Sequence, residues 1–222
     1  QTGQAVLQRA ICVRNDARGT RIWCKASAFP VFAADGSLRR VLLTLAELDR
    51  HSRLATENRP LPTHDPLTGV FNQRYILLLV DDESRRARRY GIPFALALIA
   101  IDNFPDFCRA HGSGAGESVL AEIGRLLGNG LREFDMVGRF GAEEFLVILP
   151  NVRVSDAMIG LERLRELVEA TLDDHEPALT ISGGVSEYGG EDAATLIECL
   201  RSLLGTARTA GGNRLCVDLE MF

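Results

Sequence analysis

The sequence predicts an α/β domain whose central sheet is covered by helices, preceded by a small antiparallel β segment. Three observations carry that expectation. From about residue 63 onward, four stretches with apolar residues at helical spacing alternate with short apolar runs of strand length, as happens when helices pack on a sheet. Two of those runs, Asp135 to Phe140 and Phe145 to Leu149, flank Gly141-Ala142-Glu143-Glu144 and read as a β-hairpin with its acids at or next to the tip. Residues 1–50 instead carry strand-like runs separated by turn signals.

In chain order, the first runs are Ala10 to Arg14, Thr20 to Phe32 and Ser37 to Leu48. Asn15-Asp16-Ala17-Arg18-Gly19 and Ala33-Ala34-Asp35-Gly36 supply the turns of a three-stranded meander. Three strands alone are a marginal unit, so they are expected to pack on something else or on a second copy. His51 to Asn58 is polar and Pro60 and Pro62 break a helix, making 51–62 a linker to a domain over 63–222. From Asn72 to Tyr90, Tyr75, Leu78, Leu79 and Ala87 recur at helical spacing. Arg85, Arg86, Arg88 and Arg89 crowd the last turns, where the helix dipole favours cations, and read as a solvated basic face. Phe94 to Ile101 is a buried strand, Glu117 to Leu127 and Ser155 to Leu172 are helices, and Leu161, Leu164 and Val168 are core. Ala178 to Val185 reads as a strand, Ala193 to Ala210 as the last helix, and Arg214 to Leu219 as a closing strand.

Composition excludes several classes. With 46% apolar residues and few aromatics among 222, the chain is an ordinary globular one. No run approaches 18 apolar residues and the N-terminus is unlike a signal peptide, so a soluble domain is expected, with room for a membrane segment elsewhere. Five cysteines, widely spaced and without Cys-x-x-Cys, argue against a disulfide framework or zinc site and fit a reducing cytoplasm. Four histidines lack metal spacing. A net charge of −5 argues against non-specific nucleic-acid binding.

Arg132 to Phe145 holds the chemistry: an Arg-x-x-Asp pair followed by a turn bearing two carboxylates, of the type that holds Mg²⁺ over a nucleotide's phosphates. Gly141-Ala142-Glu143-Glu144-Phe145 resembles the signature hairpin of the GGDEF family of bacterial diguanylate cyclases, with Ala142 in place of a glycine. His64-Asp65-Pro66-Leu67-Thr68-Gly69-Val70-Phe71-Asn72 resembles the family's opening motif. Thr180 to Val185 resembles a late core strand, and Ala210-Gly211-Gly212-Asn213-Arg214 the domain's end, so the likeness covers about Thr63 to Val217. It implies a nucleotidyl-cyclase-like sheet with the substrate site along the hairpin. Gly19-Thr20-Arg21-Ile22-Trp23, Ala28-Phe29-Pro30-Val31 and Asp35-Gly36 similarly resemble the C-terminal half of a PAS sensor domain, without its first half.

The same resemblance marks departures. The family's metal-binding Asp falls on Ala100, leaving Glu143 as the retained candidate ligand. Asp102 lies two residues along, roughly 6–7 Å, too far to substitute without a backbone shift. The guanine-reading Asn falls on Cys108, a weak hydrogen-bond partner, and the guanine-reading Asp on Glu117. Pro105 replaces a Lys, while Arg208 and Gly212 stand where Lys and Arg flank the triphosphate. Ala142 is expected to cost about 1 kcal/mol or more if its turn needs glycine dihedrals. The family reaction joins two GTP molecules held by a pair of domains, with metal ions stabilising charge. Loss of metal support would slow it by about three orders of magnitude, at roughly tenfold per 1.4 kcal/mol. The set Ala100, Asp102, Cys108, Glu117, Gly141, Ala142, Glu143 and Glu144 therefore reads as a degenerate active site, needing Mg²⁺ only if synthesis persists.

Arg132-Glu133-Phe134-Asp135 matches the family's inhibitory site for its product, cyclic di-GMP. Arg suits phosphate or a guanine edge, and Asp accepts from guanine N–H groups. Arg163, on the helix after the hairpin, falls where related domains place a second ligand-contacting Arg. The leading expectation is a non-catalytic domain that binds cyclic di-GMP, without a cofactor, and signals to attached or partner domains, as a homodimer by family habit. The alternatives are a slow or conditional cyclase, a site that binds GTP without turnover, and a docking module that binds no nucleotide.

Overall fold

The computed structural model describes residues 62–218 in full and the backbone of three strands before them. The turns 16–19 and 33–37, the expected linker over 51–62 up to residue 61, and the side chains of the segment expected to resemble a PAS domain lie outside the described residues. Two compact units, Gln1–Leu61 and Pro62–Phe222, divide the chain. In the first, β1 (Val6–Asn15), β2 (Thr20–Phe32) and β3 (Leu38–Glu47) pair antiparallel in sequence order. Val13 faces Ile22, and Ala28 faces Leu43.

The second unit begins with α1 (Gln73–Tyr90), whose N-cap Asn72 accepts a hydrogen bond from the Tyr75 N–H at 2.9 Å; Gly91 ends it in the left-handed region. Then come β4 (Phe94–Ile101), α2 (Phe104–His111), α3 (Ser113–Gly130), β5 (Met136–Arg139) and β6 (Glu144–Pro150). The chain closes with α4 (Val154–Thr171), β7 (Ile181–Glu187), α5 (Ala193–Thr209) and β8 (Leu215–Val217). Sheet order is β5-β6-β4-β7-β8, antiparallel except for the parallel β7–β8 pair.

All eight residues of β4 are buried, because the central strand is covered on both faces. Ala95, Ala97, Ile99 and Ile101 join Ile123, Leu127, Leu161 and Leu164 from α3 and α4. Phe94, Leu96, Leu98 and Ala100 join Ile76, Val80, Leu200 and Leu204 from α1 and α5. The α5 layer comes unusually close. A Cβ added to Gly184 on β7 would lie 2.3 Å from the Leu200 carbonyl oxygen and 2.9 Å from the Leu204 nitrogen. That glycine sets the helix's height over the sheet.

The structure adds an element the apolar periods did not reveal. Helix α2 follows directly on β4, because Asn103, at φ +58°, turns the chain and Pro105 supplies a preset first turn. Asp102 therefore lies just past the strand's end. Helix α3 starts at Ser113, four residues ahead of expectation, through Gly114 and Gly116, whose lack of side chains hides the period.

Candidate functional site

The hairpin between β5 and β6 closes on one carbonyl: the Phe140 and Gly141 N–H groups both donate to the Glu144 oxygen, at 2.7 and 3.1 Å. Gly141 packs closely on Glu144: a Cβ there would lie 2.8 Å from Glu144 Oε2 and 3.2 Å from its Cβ, so the Glu144 side chain would have to shift. Ala142 is exposed and is not among the residues with positive φ, so its methyl meets none of the backbone strain expected of it. Arg139 braces the turn from behind. Its Nε and Nη2 donate to the Gly141 and Ala142 carbonyls at 3.3 and 3.1 Å, and its Nη1 lies 3.4 Å from Asp65 Oδ1. Partial burial acts to raise the Asp65 pKa. The hydrogen bonds from Thr68 and the Arg139 guanidinium outweigh it and hold the carboxyl below its ordinary value. Sequence reasoning missed Arg139, whose partner is 74 positions away.

Both hairpin acids face arginines of α5. Arg208 Nη2 donates to Glu143 Oε1 at 2.7 Å and to the Ile101 carbonyl at 3.3 Å. Arg201 lies 3.8 Å from Glu144 Oε2 and over the Phe140 ring. Ala100, fully buried, pairs with Glu144 on one side and Ser182 on the other. Asp102 is buried, and its Oδ2 accepts from Thr180 Oγ1 at 2.7 Å, Ser182 Oγ at 2.9 Å and the Asn213 N–H at 2.9 Å. It ties the β4 end to β7 and to the α5–β8 turn.

Asp102, Asn103, Pro105, Glu143, Arg208 and Gly212 line a cavity of about 410 Å³. The other residues of the expected set lie apart from that lining. Cys108 sits against Gly116, where an added Cβ would be 2.5 Å from its Sγ, and Glu117 is exposed on α3. These residues do not fit a divalent ion, which needs free oxygen ligands to close upon it. Ala100 offers none, Asp102 Oδ2 is saturated, and Glu143 already holds a guanidinium. Among the described residues, no group of three His, Cys, Asp or Glu side chains could hold a metal ion.

A second cavity, of about 490 Å³, brings together all three residues expected to bind cyclic di-GMP: Arg132, Asp135 and Arg163. Asn151, Asp156 and Ile159 also line it. Asp135 Oδ2 accepts from the backbone N–H of Arg132 at 2.9 Å, which fixes the turn while leaving the Arg132 guanidinium out of that bond. Arg163 Nη2 donates to the Gly130 carbonyl at 3.2 Å, anchoring α4 to the end of α3. Ile159, which shares the lining with both arginines, is 73% exposed, and Phe134, in the turn between Arg132 and Asp135, is 77% exposed. Sequence reasoning did not single them out, and only their solvent exposure marks them.

A mixed five-stranded sheet between helix layers, with an acid-bearing hairpin against its central strand, defines an α/β domain of the nucleotidyl-cyclase-like class. The chain belongs to the GGDEF family: the model described as "Diguanylate cyclase, GGDEF domain" matches residues 62–214. It is 33% identical to the diguanylate cyclase DgcP of Pseudomonas aeruginosa over 74% of this chain and 25% of that protein. Among solved structures it resembles the GGDEF domain of DgcB from Caulobacter crescentus, crystallised with cyclic di-GMP. The TM-score is 0.67 at 25% identity, covering 72% of this chain and 98% of that one. It also resembles the diguanylate cyclase SiaD of Pseudomonas aeruginosa, solved with its activator SiaC. There the TM-score is 0.67 at 33% identity, covering 76% and 66%. The chain spans about a quarter to a half of the length of the curated relatives it matches. Among the described residues, no helix is long and apolar enough to cross a membrane.

Proposed function

We propose that this GGDEF domain is a cyclic di-GMP-binding signalling module in which synthesis is lost, and that the ligand occupies the cavity of Arg132, Asp135 and Arg163. One observation carries the reading: three residues taken from sequence alone, two from the turn before β5 and one from α4, line a single cavity of about 490 Å³, within the range of small-ligand sites. Its chemistry suits the ligand. Two arginines match a dianion with two phosphodiesters, and a carboxylate such as Asp135, whose Oδ2 holds the turn, suits the N–H edge of guanine. Ile159 offers an apolar surface to a base. Loss of synthesis is supported by Ala100 and by the engagement of Glu143 with Arg208. Signalling to attached or partner domains, as a homodimer, completes the reading.

Titration calorimetry with cyclic di-GMP tests it. Micromolar or tighter binding that is largely lost in Arg132→Ala is expected; absence of a saturable heat in the unmodified protein would remove the reading. The relatives named as diguanylate cyclases favour a second reading, a slow cyclase. Steady formation of cyclic di-GMP from GTP with Mg²⁺ or Mn²⁺ would establish that one instead.

A further inference from the structure

We propose that the guanidinium of Arg208 is a built-in cation, occupying the place between Glu143 and the Ile101 carbonyl that a divalent ion would need, so that the hairpin cavity is closed to metal. The inference extends the loss of synthesis in the proposed function and is independent of the ligand in the other cavity.

The two oxygens are of the kind hard divalent cations take, one carboxylate and one main-chain carbonyl. A single nitrogen, Arg208 Nη2, reaches both, at 2.7 and 3.3 Å. The Glu143 carboxylate lines the cavity, but it is only 19% exposed and Arg208 already donates to it. The arginine is delivered by a fixed support. Leu200, Leu204 and Ala207 bury the inner face of α5, and Gly184 lets that helix sit almost in backbone contact with β7. Arg201, seven residues earlier and so on the same helix face, lies against Glu144 as Arg208 lies against Glu143. Both hairpin acids therefore have a counter-cation from one helix.

An isolated surface ion pair contributes little and exchanges readily. Here a metal would have to displace the guanidinium and then remain beside it, like charge against like. Ala100 brings only a methyl group where a second carboxylate would compensate, and Asp102 is held in place by three donors on Oδ2. The guanidinium carries one charge where the ion would bring two, and its planar donors direct hydrogen bonds. It holds the hairpin against β4.

Mn²⁺ binding, read from the loss of the free-ion EPR signal, tests this on four proteins: the unmodified chain, Glu143→Gln, Arg208→Ala and the double variant. Arg208 is 40% exposed in the last turn of its helix, so alanine there is tolerated by the fold. The unmodified chain and Glu143→Gln are expected to bind Mn²⁺ equally weakly, Arg208→Ala at least tenfold more tightly, and the double variant as weakly as the unmodified chain. Weaker Mn²⁺ binding in Glu143→Gln than in the unmodified chain, or no tightening in Arg208→Ala, would overturn the proposal. Cyclic di-GMP calorimetry on the same proteins reads the other cavity separately.

Discussion

Asp102 shows how a residue type can be legible while its work is not. In sequence it stands two positions from a missing carboxylate and reads as a poor substitute ligand. In the fold it has turned away from that work, because Asn103 adopts a left-handed conformation just past β4 and Thr180, Ser182 and the Asn213 amide converge on one of its oxygens. None of those partners lies within 70 positions, so no local pattern could announce them. Ser182 is fully buried, and deleting its acceptor leaves a donor with no water to replace it. Asp102→Ala should therefore lose about 2–3 kcal/mol of stability in urea unfolding. A loss below about 0.5 kcal/mol, the scale of an ordinary surface substitution, would mean the three donors find other partners. Ala142 errs the other way: its sequence context suggested strain, and its backbone carries none.

At the scale of elements, strands and long helices were legible because burial on a sheet imposes a period. Helix α2 was not. Its eight residues span barely two turns, and Phe104 and Phe107 are its only buried residues. The close seating of α5 was equally invisible, since a Gly-Gly pair in a strand reads only as weak strand propensity. In the fold, Gly184 lets α5 approach until Leu200 and Leu204 backbone atoms would stand within 3 Å of any added Cβ. Neither atom can rotate away as a side-chain tip could. Gly184→Ala should cost about 3 kcal/mol through overpacking, measured as a lower denaturation midpoint at unchanged slope. Because α5 carries Arg201 and Arg208, its displacement should also loosen the hairpin acids, seen as faster amide exchange at Phe140 and Gly141. Unchanged stability would show that the helix has room the geometry denies it.

For the whole molecule, the two cavities differ in what sequence could say of them. Arg132 and Asp135 are neighbours in the chain, and Arg163 follows on the next helix, so their meeting follows from a hairpin and one connection. The hairpin cavity draws on the β4 end, the hairpin and the last turn of α5, and its Glu143–Arg208 pair spans 65 positions. The chain's net charge of −5 opposes a dianionic ligand, so binding must come from local arginines rather than from the overall field. A ligand that binds only the folded state stabilises it by about 2.7 kcal/mol at a hundredfold excess over Kd. For the 62–222 unit, that converts to a rise of roughly 5–10 °C in Tm. Differential scanning calorimetry with cyclic di-GMP should show this rise in the unmodified chain, little in Arg132→Ala or Arg163→Ala, and a nearly full rise in Arg208→Ala, whose side chain lines the other cavity. A rise abolished by Arg208→Ala but kept in Arg132→Ala would move the ligand to the hairpin cavity, and equal rises in every protein would assign it to neither.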